Sequence, residues 1–419
     1  MKKSYSIICS ILIGVIISAA SHCISAQSFT ALESVPGTNK DFDNALIFEL
    51  NGDIFVGAGF YSKRLYKYSI STDSWTTLNE IPGSTYSRNS AISFTINNKA
   101  YVLNGTDIHP TTFSSTRLND FYEYDINTDT WTSKPLPPFG FRGVPAVFVL
   151  NNKAYIVGGR DASVATNTTW EFDGTNWTAR SDFPLLNILG ASSFVLNGKG
   201  YVVCGSTNNG GNITYNKTLY EYDQLSDTWT AKTNFPGQGR YYAFGFSADG
   251  KGYCGLGSSV NSSSQYVYYN DFYSYDPGTD SWTILATPFP ASTRQSAVAI
   301  SHNNAAYLGT GWTFIGGVNT YYRDWYRFGS ATTSTKDLSQ DIEPGIYPNP
   351  VYDKLQIEIS TTDHDRSSFT ILNILGEKIM QGPLKGGINA TDISHLESGT
   401  YFLTVRTNDK MFTKRLIKN

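Results

Sequence analysis

Four arginines recur at one position of an otherwise variable pattern. The stretches "SRNSA", "FRGVP", "GRYYA" and "TRQSA" place Arg88, Arg142, Arg240 and Arg294 just ahead of an alternating apolar run. A planar guanidinium fork grips a carboxylate through two parallel hydrogen bonds. A ring of such forks would therefore suit a carboxylate-bearing or sugar ligand, although each arginine can equally bond loop carbonyls or a neighbouring acid. Phe42 and Ile188 occupy the matching positions in two further copies. The connecting segments nearby are long and rich in hydroxyls, amides and rings, as in "GTDIHPTTFSSTRLND", "GSSVNSSSQYVYYND" and "GWTFIGGVNTYYRD". By location they add Arg160, Tyr241, Trp312 and Tyr321 as candidate ligand contacts, and Asp107, Asp161 and Asp271 as candidate acids.

A repeating unit must position these residues. An alternating run such as "PAVFVLNN" (strand A) is followed at once by a second such as "KAYIVGG" (strand B), and the intervening "NN" or "NG" signals a tight hairpin. A third run resembles "YEYD" (strand C), and a fourth begins at a tryptophan, as in "TWTSK" (strand D). The strand B aromatics Phe55, Tyr101, Tyr155, Tyr201, Tyr253 and Tyr307 lie 46, 54, 46, 52 and 54 residues apart. Four strands per period of about 50 residues predict the blades of a β-propeller. Six A, B and C strands are found with only five D strands after them. "SFTALESVPG" near the start aligns with "TWTSKPLPPFG", setting Phe29 where Trp131 stands. This N-terminal strand is expected to complete the sixth blade and close the ring, because an open ring would expose two apolar faces.

Tyr155-Ile-Val-Gly158-Gly159 with a following aromatic and tryptophan resembles the kelch repeat, over about residues 27–330. The resemblance implies an all-β, six-bladed kelch propeller at 27–332. Kelch propellers include enzymes. The copper site of the galactose oxidase type needs two histidines with tyrosines around one metal, but His109 falls in a B–C loop and His302 at an A–B turn, on opposite faces. No metal or other cofactor is therefore expected, and no catalytic residues are assigned. The aspartates of "DINTD", "DQLSD" and "DPGTD" read as turn residues rather than calcium ligands. Cys204 and Cys254 are expected as two buried free thiols, since strand alternation points each to the same side of its own blade. No nucleophile elbow or phosphate-cradling loop is present.

The two ends specify traffic. Lys2 and Lys3 precede an apolar run over Ile7–Ala20, which reads as a signal peptide over residues 1–26. No later segment is apolar enough to span a membrane. A Ser/Thr/Asp-rich linker is expected over 333–344, then a small Ig-like β-sandwich over 345–419. Its Tyr347-Pro348-Asn349-Pro350, Gly376, Leu396, Gly399 and Tyr401 resemble the type A C-terminal sorting domain of the type IX secretion system, known from Bacteroidota. That resemblance implies the secretion machinery as a partner and a secreted or cell-surface location. The net charge of −3 gives a nucleic-acid partner no support. The expectation for function is a secreted propeller that binds a glycan, peptide or protein. The alternatives are a carbohydrate isomerase resembling the kelch sialate mutarotase, with the arginines holding a sugar carboxylate, and a structural or adhesive extracellular component.

Overall fold

The computed structural model describes residues 27–161, 164–330, 345–347, 349–359, 367–374, 377–385, 387–407 and 410–419. The expected signal peptide, the linker, Pro348 and Gly376 lie outside the described residues. The chain divides into two compact units, one ending at Ala331 and one starting at Thr332.

The first unit holds six four-stranded antiparallel sheets whose inner strands touch in chain order, the sixth meeting the first. Those inner strands are Leu46–Leu50, Ile92–Ile96, Ala146–Leu150, Ser192–Leu196, Phe244–Ala248 and Val298–His302, the A strands of blades 1 to 6. The first five alternate buried and half-buried residues. The buried set packs between sheets and the other set lines a central channel. Blade 6 is completed by the N-terminal strand Gln27–Leu32 on Trp325–Ser330. Phe29 pairs with Phe328, as Trp131 pairs with Tyr124 in blade 2. Its ring lies 4.9 Å from Phe328 and 5.5 Å from both Phe272 and Phe289, so it seals blade 6 against blade 5.

The C–D corners hold the ring together. In blade 2 the Tyr124 hydroxyl donates to Asp129 at 2.8 Å, and Asp129 also accepts the Asn79 N–H of the preceding blade at 3.0 Å. Asp73, Asp227 and Asp280 repeat this, each bonded to its own tyrosine and to the neighbouring backbone. The earlier aspartate of each corner caps the turn: Asp125, Asp223 and Asp276 accept the N–H two residues on. The indole N–H groups of Trp75, Trp229 and Trp282 donate to carbonyls of the preceding blade.

Cys204 and Cys254 are the two thiols expected. Both are buried and free, but their sulfurs lie 3.9 Å apart across the blade 4–5 interface. The alternation argument failed because Cys204 lies one residue beyond strand Lys199–Val203, with φ at 65°. Burial, and then the Cys254 thiol, push the Cys204 thiol up.

The second unit is a pair of sheets, one of three and one of four strands, around Val351, Leu355, Ile357, Phe369, Ile371, Leu403 and Leu416. Asn349 ties the opening turn to the last strand, donating to the Arg415 carbonyl and accepting the Ile417 N–H. Leu396 is buried in this core, Gly399 opens the strand Gly399–Thr407, and the Tyr401 hydroxyl donates to the Glu397 carbonyl. Tyr347 is part exposed and bonded to Glu358, and Pro350 lies on the surface.

Candidate functional site

The channel begins where the A strands begin. Asn44, Ser90, Val144, Gly190, Tyr242 and Ser296 form a six-fold ring there, all with φ between 46° and 57°. Left-handed backbone is unusual for a β-branched or aromatic residue, and hydrogen bonds between blades hold it. Tyr242 N–H donates to the Gly190 carbonyl at 2.8 Å, and Ser296 N–H to the Tyr242 carbonyl at 3.1 Å. Five ring members are small, and Tyr242 is the bulky one. A Cβ on Gly190 would sit 3.2 Å from its ring, so glycine makes room for the tyrosine. Below lies a cavity of about 620 Å³ lined by the small outward residues of the A strands, Ala45, Ser93, Ser193 and Ala299 among them.

The four arginines stand at the expected place but do not open into the mouth. Arg88, Arg240 and Arg294 are 0 % exposed and Arg142 is 5 % exposed. Each donates Nη1 to the carbonyl sixteen residues ahead, at Asn104, Gly158, Leu256 or Thr310. Three are also paired to a carboxylate: Arg88 to Asp120 at 2.6 and 2.8 Å, Arg240 to Asp271 at 2.5 and 3.0 Å, and Arg294 to Asp324. Their forks anchor the loop to strand C and are spent on the protein's own groups. For Arg88, Arg240 and Arg294 the expected ligand-ready guanidinium is thus corrected to an internal strut. The candidate acids are engaged as well. Asp107 accepts the N–H groups of Thr85, Tyr86 and Ser87, Asp161 accepts that of Val164, and Asp271 is held by Arg240.

The remaining candidates do gather at the mouth. Long hairpins rise there from blades 4, 5 and 6: Ser206–Asn209 with Asn212–Tyr215, Ser258–Val260 with Tyr266–Tyr268, and Trp312–Ile315 with Val318–Tyr321. Tyrosine hydroxyls join them into one wall, Tyr215 accepting the Val260 N–H and Tyr268 the Phe314 N–H. Trp312 stacks on Tyr321 and meets Tyr266 edge-on, both at 6.4 Å between centroids. Tyr241 lies 4.5 Å from Tyr242. Arg160 is exposed, and its charge acts on Tyr242, whose hydroxyl burial pushes up to about 12.

Sequence reasoning missed Asp43. It precedes the ring residue Asn44, where the other blades carry Asn89, Gly143, Leu189, Tyr241 and Gln295. It is 5 % exposed. Its carboxylate accepts one side-chain amide, from Asn44 at 2.6 Å. Burial raises its pKa to about 7, with the Asn44 bond opposing. Its charge acts on Tyr61, Tyr242 and Tyr321, so the acid and the rings share one region. The available signal was an acid at a position that is neutral in every other copy.

His109 and His302 are far apart by topology. His109 packs on Tyr86 in the blade 2 loop, and His302 lies near Glu49 at an A–B turn. Among the described residues no group of three or more His, Cys, Asp or Glu is placed to hold a metal. No helix among them is long and apolar enough to cross a membrane.

Part of the chain is 34 % identical over 106 residues to an N-acetylneuraminate epimerase of Yersinia enterocolitica, and 32 % identical over 111 residues to one of Escherichia coli. These matches cover 25 and 26 % of this chain, and 26 and 30 % of those enzymes. The solved "Structure of YjhT" superposes with a TM-score of 0.58 at 18 % identity, over 70 % of this chain and 96 % of that one, a likeness of fold. Residues 345–419 match the family described as the secretion system C-terminal sorting domain. The chain therefore combines a β-propeller fold with a C-terminal sorting domain, and that domain indicates secretion or attachment at the cell surface.

Proposed function

We propose that the propeller is an extracellular binding module and that its ligand is a carbohydrate held at the blade 5–6–1 side of the mouth. The observation that carries this is the cluster of Tyr61, Tyr241, Tyr242, Tyr266, Trp312 and Tyr321 around the buried acid Asp43. Aromatic faces cover the apolar side of a sugar ring, while a carboxyl and phenol hydroxyls bond its rim. Sugar selectivity would come from the irregular hairpins, since the channel below is lined largely by small and aliphatic side chains. The test is a glycan array probed with the secreted protein. Binding to a defined sugar that Asp43→Asn weakens supports the reading. No binding to any glycan, with a peptide or protein partner captured instead, removes it.

A second reading, a sugar isomerase, is favoured by two observations: the partial match to N-acetylneuraminate epimerases and an acid poised near neutrality. A group with a pKa near 7 can both give and take a proton during ring opening. NMR of anomer exchange in N-acetylneuraminate decides this. Acceleration lost in Asp43→Asn supports catalysis, and exchange at the rate of buffer excludes it for that substrate.

A further inference from the structure

The repeat supplies its own control for the arginines. In blades 2, 5 and 6 the fork holds the residue just before strand C, namely Asp120, Asp271 or Asp324. In blades 1 and 4 the arginine is replaced by Phe42 or Ile188, and the residue before strand C follows suit, being Arg64 or Thr218 at the aligned position. In these five blades arginine and aspartate are present together or absent together. Blade 3 breaks the rule, with Arg142 facing Thr168.

The consequence is a buried cation without its anion. Arg142 donates Nη1 to the Gly158 carbonyl at 3.0 Å and to the Thr168 hydroxyl at 3.1 Å. Its Nε is buried without a partner among the described residues, and both of its hydrogen bonds to described residues come from Nη1. The Phe139 ring lies 5.2 Å from the guanidinium carbon. Burial lowers the Arg142 pKa to about 10, the charge of Asp161 opposing, so the group still carries its proton at neutral pH. In the sister blades the bound carboxylates are 17, 26 and 28 % exposed. The place they occupy therefore opens to solvent.

We propose that Arg142 is a binding site for a small free carboxylate. The ligand enters from the mouth face of blade 3 and takes the place that Asp120, Asp271 and Asp324 fill in their own blades. Its two oxygens meet Nη1 and Nη2, and the Thr168 hydroxyl reorients to donate to one of them. The three blades that hold a carboxylate supply the template, and planar two-oxygen geometry is what the fork selects. This site is separate from the tyrosine cluster and stands or falls apart from the carbohydrate reading.

Titration of carbon-13 acetate by NMR tests it, with the full-length secreted protein and chloride balancing the ionic strength. Wild type shows saturable line broadening of the carboxyl signal. Thr168→Asp supplies the missing internal partner and weakens acetate binding at least tenfold. Arg142→Lys keeps the charge but loses the fork, and weakens it at least fivefold, which keeps the test alive if the first variant does not fold. A non-saturating response in wild type, or equal binding by wild type and a folded variant, overturns the proposal.

Discussion

Asp129 and Asp43 are the same residue type put to opposite uses at the two faces of the propeller. Asp129, at a C–D corner, accepts a tyrosine hydroxyl and a backbone N–H from the preceding blade. Asp43, at the mouth, is buried with a single side-chain amide for company and has its pKa raised to about 7. The corner acid is repeated and tied by two bonds, whereas the mouth acid occurs once and is held by burial with one side-chain amide, which raises its pKa. The same contrast separates Arg88, Arg240 and Arg294 from Arg142.

The contrast predicts that struts set stability at every pH, whereas the mouth acid makes it depend on pH. Asp271→Ala strands the fully buried Arg240, and losing one partner of a buried pair costs about 3–5 kcal/mol. Urea unfolding should show that loss, and a midpoint shift below one tenth of it would break the strut assignment. Asp129→Ala removes two charge-assisted bonds and should cost roughly 2–4 kcal/mol, again without affecting ligand binding. Asp43→Asn sharpens the comparison through pH. A carboxyl whose folded pKa is raised contributes stability that is fully present below its ordinary 3.8 and is lost as the pH rises through about 7. Wild type should therefore lose stability relative to Asp43→Asn across that window, by on the order of 2–4 kcal/mol. A difference that stays flat with pH would place Asp43 with the ordinary surface acids. The smallest effect concerns Cys204 and Cys254, whose burial should keep them from alkylating reagents in the native protein and release both on unfolding. Fast labelling of the native state would contradict the packing at that interface.

Much of this was legible in the sequence because the repeat is regular. The strand B aromatics gave the period, and Phe29 took the expected place in the sixth blade down to its register with Phe328. The turn role of the corner aspartates followed from their spacing, but their second bond to the neighbouring blade did not, since it runs between units. The arginine positions were right and their surroundings were not. Each partner acid lies 30 to 32 residues ahead, beyond a loop of variable length. The sequence did hold a clue, because "ND", "ND" and "RD" precede strand C in three of the four blades that carry the arginine. The thiols are buried and free as expected, but their proximity was missed for a local reason: one left-handed residue at a strand end defeats alternation.

The central claim is that the hairpin wall and its acid, and not the arginines, meet the ligand. The most direct measurement is calorimetric titration of the best sugar from the array into wild type, Trp312→Ala, Tyr266→Ala and Asp129→Asn. Affinity should fall at least tenfold in the two mouth variants and stay within twofold of wild type in the corner variant. Unchanged affinity in both mouth variants would contradict the claim and move the site away from the tyrosine cluster.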